Sequence, residues 1–178
     1  KKLLASLGLE APVTADANAL TAVSLNTDIS ASATQAGFKN LKLKLDDTSV
    51  TGSVSVADFS RQALRFDLGV DKIDVDRYLP PQSKEATAAT PGAGASAIDP
   101  APLRALDIQG KLTIADLTAA KAHVSSILVK VVAKGGVVRL APVSAKLYKG
   151  EYAGKIVLNA KGNALALTLD EKLSGVHL

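Results

Sequence analysis

The chain has 178 residues, with 21 Lys and Arg against 17 Asp and Glu, 47% hydrophobic residues, and no Cys, Met or Trp. Without Cys it has no disulfide, no thiolate nucleophile and no cysteine-ligated metal. Its apolar residues never form the run of about 18 that a membrane-spanning helix needs. The length suits one domain or two small ones. Because the chain begins with Lys1 and lacks Met, we expect it to be a piece of a longer polypeptide.

The formal net charge is +4, but the basic residues are not clustered. Lys42 and Lys44 alternate with leucines, and Lys72 lies beside Asp71. This pattern is typical of solvated strand faces. Aromatic residues make up 3% of the chain, too few for the stacking surfaces of a nucleic-acid groove. We therefore expect no nucleic-acid partner.

Composition also divides the chain. Residues 80–102 read PPQSKEATAATPGAGASAIDPAP, with five of the seven prolines, which predicts a disordered linker. The linker separates a β-rich half with short helices, residues 1–79, from a second β-rich half, residues 103–178. We expect both halves to belong to one sheet.

Helical signals are concentrated at the N-terminus. Residues 1–9 form a short amphipathic segment, and Thr14 is placed to cap a second short helix over residues 15–20. We expect both helices to be minor elements.

The remaining first half shows the two-residue period of half-buried strands. Apolar residues alternate with polar ones in residues 41–45, 50–56 and 64–70, and Asp46–Asp47 is a turn signal. The phase changes after residue 70, which predicts a bulge or a strand end near Asp71.

The second half repeats this period. Gly135–Gly136 and Gly162–Asn163 are hairpin signals. Residues 115–126 are rich in Ala but lack an apolar stripe at helical spacing, so we favour strand and turn there. The total is eight or nine strands, with alternation in residues 106–114, 127–131, 138–140, 152–158 and 165–169.

Few residues offer catalytic chemistry. His123 and His177 are the only imidazoles and have no metal-binding spacing. Asp71, Asp74 and Asp76 lack the glycine and the distal Glu of a calcium loop. We expect no metal, no cofactor and no enzymatic activity.

The abundant alternating aliphatic surface allows two interpretations. One is the closed core of a sandwich or barrel. The other is an open, curved sheet whose concave apolar face holds a lipid chain. Periodicity does not separate them.

Several segments of turns and strand phases, without a catalytic signature, form a pattern along the chain: residues 3–10, 14–20, 40–47, 51–53, 64–68, 73–80, 106–112, 136–140 and 148–154. In these segments the chain resembles the periplasmic part of AsmA-family proteins of Gram-negative bacteria. A Pro/Ala/Ser-rich insertion follows the first half in both.

The resemblance implies a periplasmic protein anchored in the inner membrane by an N-terminal segment outside this sequence. It implies an elongated, groove-forming β structure and a role in outer-membrane biogenesis and phospholipid passage between the two membranes. Implied partners are phospholipid and proteins of outer-membrane assembly or transport.

Our first hypothesis is a non-enzymatic lipid-handling module. Its predicted fold is mainly β, a curved antiparallel sheet that forms an open apolar groove or half-barrel, with short N-terminal helices. The alternative is a structural or protein-interaction module for outer-membrane assembly, with the same residues in a closed β core. The candidate lipid-groove residues are Leu41, Leu43, Leu45, Val54, Val56, Phe66, Leu68, Ile108, Leu112, Ile114, Val129, Val131, Leu140, Ile156, Leu158, Leu165 and Leu167.

Overall fold

A computed structural model of the chain describes residues 14–80, 101–162 and 164–176. These residues form a single nine-stranded sheet in which the strands lie side by side in chain order, so the predicted mainly-β class is confirmed. β1 and β9 are its two free edges, and the described sheet is therefore open. The strands are β1 (Val23–Ala31), β2 (Ala36–Leu45), β3 (Thr48–Asp58), β4 (Ala63–Asp74), β5 (Asp107–Ala119), β6 (Ala122–Lys134), β7 (Val137–Leu147), β8 (Gly150–Asn159) and β9 (Ala166–Ser174).

Helical structure is minimal in the described ranges. It consists of a 3-10 turn, Val75–Arg77, and a four-residue helix, α1 (Ala101–Arg104). Within residues 14–80, 101–162 and 164–176, no helix has the length and hydropathy that crossing a membrane would require.

The pairing is antiparallel throughout the described sheet except between β4 and β5, which are parallel. The predicted all-antiparallel sheet is wrong at this pair. A parallel neighbour needs a long connection that returns the chain to the other end of the sheet. Residues 75–106 are long enough for this return.

The predicted turns are confirmed where the structure describes them. Asp46–Asp47 joins β2 to β3, and Gly135–Gly136 joins β6 to β7. Residues 115–126 are strand, turn and strand, as predicted, with Ala120 and Lys121 in the turn at positive φ. Asn163, the second residue of the last predicted turn, lies outside the described residues.

The predicted helix over residues 15–20 is wrong, because this segment forms turns. The Thr14 hydroxyl donates to the carbonyl oxygen of Asp16 and therefore does not cap a helix. The Asp16 carboxylate accepts the Asn18 N–H and an Arg77 Nε–H at 2.7 Å. These tertiary contacts hold the segment against the end of β4 in place of a helical turn.

Two other predicted segments are not described. Residues 1–9, the first predicted helix, lie outside the described part of the chain. So do residues 81–100 of the predicted linker, whose last two residues, Ala101 and Pro102, belong to α1.

The β2–β3 turn is tied to the N-terminal segment by Asp46. Its carboxylate accepts the backbone N–H groups of Leu20, Thr21 and Ala22 at 2.8, 3.0 and 3.0 Å. The Tyr78 hydroxyl donates to the same carboxylate at 3.2 Å. One end of the sheet is thus closed by a polar network.

Burial is shallow in this fold. In the described residues, no large side chain is fully buried, and the buried hydrophobic residues are all alanines: Ala19, Ala63, Ala133 and Ala160. For the described part of the chain, such a pattern indicates a single-layer sheet without a closed core.

Candidate functional site

The strand register gathers the aliphatic residues into rows that cross the sheet. Because paired residues of neighbouring strands point to the same side, each row belongs to one face. One row crosses every strand of the described sheet with apolar residues or glycine: Ile29, Phe38, Val54, Phe66, Gly110, Val131, Leu140, Ile156 and Leu169.

Three further rows lie on the same side. The first is Ala31, Ala36, Val56, Leu64, Ile108, Ala133, Val138, Leu158 and Leu167. The second is Leu41, Gly52, Leu68, Leu112, Val129, Val143, Gly154 and Glu171. The third is Leu25, Leu43, Val50, Val70, Ile114 and Ile127. We call the side formed by these four rows the apolar face.

Two bulges keep the rows aligned. In β2 the ladder shifts between Phe38 and Leu41, which are three residues apart, and Asn40 between them has a left-handed φ of 51°. In β7 it shifts between Leu140 and Val143. An extra residue in a strand restores the facing of the side chains that follow, so both bulges return the next apolar residue to the apolar face.

The opposite side, the polar face, carries hydrophilic side chains at its centre. One of its rows is Ser53, Asp67, Lys111 and Lys130. Lys111 Nζ lies 3.0 Å from Asp67 Oδ2, and Arg65 pairs with Asp107 at 2.7 Å. An open depression of about 540 Å³ lies here. Most of its lining residues are polar or charged, so it is poorly suited to binding hydrocarbon.

Of the seventeen predicted groove residues, fifteen lie in the four rows of the apolar face. Leu45 lies in a shorter row beside them, between Val23 and Thr48. Leu165 precedes β9 and belongs to no row. The predicted residues therefore lie together, with the exception of Leu165.

Exposure on the apolar face rises towards its edges. The central side chains are half-buried by their lateral neighbours. At the edges, Leu25 is 59% exposed, Ile29 70%, Leu167 60% and Leu169 53%. These values describe a continuous apolar surface open on one side, with its most accessible parts on β1 and β9.

Sequence reasoning missed the β1 side of this surface. Val23, Leu25 and Ile29 follow the two-residue period, but Thr27 interrupts the apolar series. It also missed the exposed Leu173 on β9. Reading Thr27 as a half-exposed strand residue would have revealed β1.

A polar pair interrupts the apolar face near β9. Glu171 follows Leu169 on this side and lies opposite Gly154. The Tyr152 ring lies over Gly154, where an added Cβ would sit 2.7 Å from the tyrosine hydroxyl oxygen. Desolvation and the nearby Glu171 carboxylate raise the pKa of Tyr152.

The described residues bring together no group of three or more His, Asp and Glu side chains that could hold a metal ion. His123 is 72% exposed, with Nδ1 3.4 Å from Asp116 Oδ1. His177 lies outside the described residues.

Comparison with known proteins gives one match. The family model of the AsmA family matches residues 1–178. No curated protein and no solved structure matches the chain. Because the family model spans the whole sequence, the chain belongs to the AsmA family.

Proposed function

We propose that the chain is a non-enzymatic lipid-handling module that shields phospholipid acyl chains on the apolar face of its sheet. Membership of the AsmA family suggests a role in outer-membrane biogenesis or in handling lipids. More specifically, we propose that it shields phospholipid during passage between the inner and outer membranes.

One observation carries this proposal. Two rows of the apolar face cross the described sheet from β1 to β9 with apolar residues or glycine only, and no large side chain in the described ranges is fully buried. Contiguous apolar patches of this kind on a soluble protein mark interaction sites for apolar partners. A closed core would have buried these side chains.

The dimensions suit a lipid. Nine strands at about 4.8 Å spacing give a face roughly 38 Å wide. Successive rows are two residues, or about 6.6 Å, apart along the strands, so the four rows span about 20 Å. One leaflet of a bilayer holds tails about 15 Å long, half the hydrocarbon thickness of about 30 Å. Both tails of a phospholipid therefore fit on the face.

The energetics suit transient binding. Removing one methylene from water contributes about 0.8 kcal/mol. A tail of about 14 methylenes that lies against one face is shielded on only one side, so roughly half of the total, about 5 kcal/mol, is gained per tail. This gain retains a lipid outside a bilayer while still permitting release.

The proposal also covers the cellular location of the module and its partners. The module lies in the periplasm as part of a protein anchored in the inner membrane, takes phospholipid as its ligand, and meets proteins of outer-membrane assembly or transport. It needs no cofactor and performs no covalent chemistry. Family membership and the apolar face support these statements.

The test is native mass spectrometry of the chain after incubation with phospholipid vesicles. We expect co-purified two-tailed lipid at about one per chain. Leu112→Asp places a charge in the middle of the apolar face and should remove most of this lipid, because a buried charge is costly. Thr113→Asp places the same charge on the next residue, on the polar face, and should retain it.

Circular dichroism checks that both variants remain folded. If Leu112→Asp unfolds, Ile29→Asp repeats the test at an edge position that is 70% exposed. A folded wild-type chain with no bound lipid would contradict the proposal and favour the alternative of a protein-interaction module.

A further inference from the structure

The polar pair on the apolar face lies where hydrocarbon alone would be expected. Glu171 has Leu169 and Leu173 as its neighbours on the same side of β9, and both leucines are more than half exposed, at 53% and 57%. A carboxylate between two exposed leucines lowers the affinity of this surface for hydrocarbon. We therefore consider two roles for Glu171: binding a polar group of a ligand, or protecting the edge strand from pairing.

Among the residues that the structure describes, Glu171 has no cationic partner. None of the ion pairs within the described ranges involves it. Lys172 follows it in the strand and so points to the polar face, and Lys155 is paired in register with Asp170 on that same face. The polar neighbour of Glu171 on the apolar face is Tyr152, whose hydroxyl lies over Gly154, the residue opposite Glu171.

Gly154 makes this arrangement possible. A side chain there would collide with the Tyr152 hydroxyl and ring. Because residue 154 lacks a side chain, the ring lies along β8 and places its hydroxyl over Gly154, directly opposite Glu171. The phenol oxygen and the Glu171 carboxylate therefore lie on neighbouring strands, on the same side, at the edge of the apolar face.

We propose that Glu171 and Tyr152 bind the ammonium group of an amine-bearing phospholipid headgroup, such as that of phosphatidylethanolamine. This inference rests on the proposed function. An ammonium donates three hydrogen bonds, which the carboxylate and the phenol oxygen accept, and an adjacent tyrosine ring attracts a cation. The tails then lie over the leucines of β9 and the rows beyond.

The consequence is a headgroup preference. Phosphatidylethanolamine offers a cation to the carboxylate, whereas phosphatidylglycerol offers only hydroxyls and a net negative charge. An exposed carboxylate–ammonium contact beside an aromatic ring should favour the amine lipid by roughly three- to ten-fold.

The experiment incubates the 178-residue chain with vesicles of equal phosphatidylethanolamine and phosphatidylglycerol, and mass spectrometry measures the ratio of the two lipids on the protein. Wild-type chain should be enriched in the amine lipid. Glu171→Gln should return the ratio to that of the vesicles, and Glu171→Lys should favour phosphatidylglycerol. Glu151→Gln, the matched control on the polar face of β8, should leave the ratio unchanged.

A second experiment adds free ethanolamine to the lipid-loaded chain and tests whether a soluble amine is the ligand. Ethanolamine at millimolar concentration should not displace the lipid.

The outcomes separate this inference from the proposed function. Bound lipid in the vesicle ratio overturns the headgroup site and leaves lipid handling intact. No bound lipid overturns lipid handling and the headgroup site with it. If Glu171→Gln self-associates while its lipid ratio is unchanged, the carboxylate protects the edge strand from pairing, and the headgroup site is wrong. Displacement by ethanolamine would assign the pair to free amines instead.

Discussion

The Phe66 ring covers the α-carbon of Gly110, its direct partner across the parallel β4–β5 pair. A Cβ on Gly110 would overlap three carbons of the ring. The aromatic side chain thus fills the gap that the glycine leaves in its row of the apolar face. An aromatic residue over a glycine on the neighbouring strand is a known way to shield a weak point in a sheet.

The first prediction concerns this contact. Gly110→Ala should displace the Phe66 ring and lower the free energy of unfolding by about 1–3 kcal/mol, the usual cost of overpacking. Urea denaturation measures it. Gly69→Ala is the control: its Cβ would meet Thr113 Oγ1 at an ordinary 3.4 Å on the polar face, and the change should stay below about 0.5 kcal/mol. Equal losses in both variants would show that the ring contact is unimportant.

The second prediction concerns Asp46. Asp46→Ala removes the acceptor of three backbone N–H groups and should cost about 1–2 kcal/mol, as loss of a helix cap does. Hydrogen exchange of residues 20–22 should accelerate. Asp47→Ala, in the same turn, removes a 72% exposed side chain with one contact to Arg77 and should change stability by less than about 0.5 kcal/mol. Unchanged exchange in Asp46→Ala would contradict this role.

The third prediction is loss of stability in acid. Hydrogen bonds from Ser60 and Arg61 lower the pKa of Asp58 from 3.8 to about 2. For Asp46, partial burial opposes ionisation, but hydrogen bonds from Ala22, Leu20 and Thr21 outweigh it and lower the pKa well below 3.8. Donation from Ser49 lowers the pKa of Asp71, and donation from Lys121 and Ala120 lowers that of Asp76.

Because these pKa values are lower in the folded chain than in the unfolded chain, the unfolded chain binds more protons in acid. The stability from these carboxylates is complete above pH 3.8 and is lost as the pH falls towards 2. Urea midpoints between pH 2 and pH 7 measure this. Asp58→Asn should flatten the dependence, and an unaltered slope would show that Asp58 does not contribute.

The fourth prediction concerns the β2 bulge. Asn40 combines a φ of 51° with a 2.7 Å hydrogen bond from Nδ2 to Asp28 Oδ2. Asn40→Val should cost about 1–3 kcal/mol, because a β-branched residue is strained in this conformation. Asn40→Gly should cost less, since glycine adopts it freely. If the two variants are equally stable, the bulge conformation is not required.

The alternation of apolar and polar residues, together with the turn residues, was sufficient to predict most strands of the sheet. Residues 41–45 and 106–114 obey a strict two-residue period, so these strands were predictable, and Asp46–Asp47 and Gly135–Gly136 mark the β2–β3 and β6–β7 turns. The same period grouped most of the predicted face residues, because every second residue of a strand faces one way.

Other features depend on contacts that sequence patterns do not record. Residues 15–20 have a cap and helix formers, but the ion pair between Asp16 and Arg77, 61 residues apart, holds turns there. The bulge at Asn40 shifts the phase by one residue and so obscured the start of β2. Tyr152 and Glu171 lie on different strands and meet only through the register.

The parallel pairing of β4 with β5 also sets the order of folding. Arg65 bonds the Asp107 carbonyl 42 residues away, whereas each other neighbouring pair in the described sheet is joined by a short local connection. Closing the large loop between β4 and β5 costs conformational entropy before the stabilising contacts between these strands can form. The two meanders, β1–β4 and β5–β9, can thus each form quickly by local zipping. We expect their union along the Phe66–Gly110 seam to be the slow, concentration-independent step of refolding.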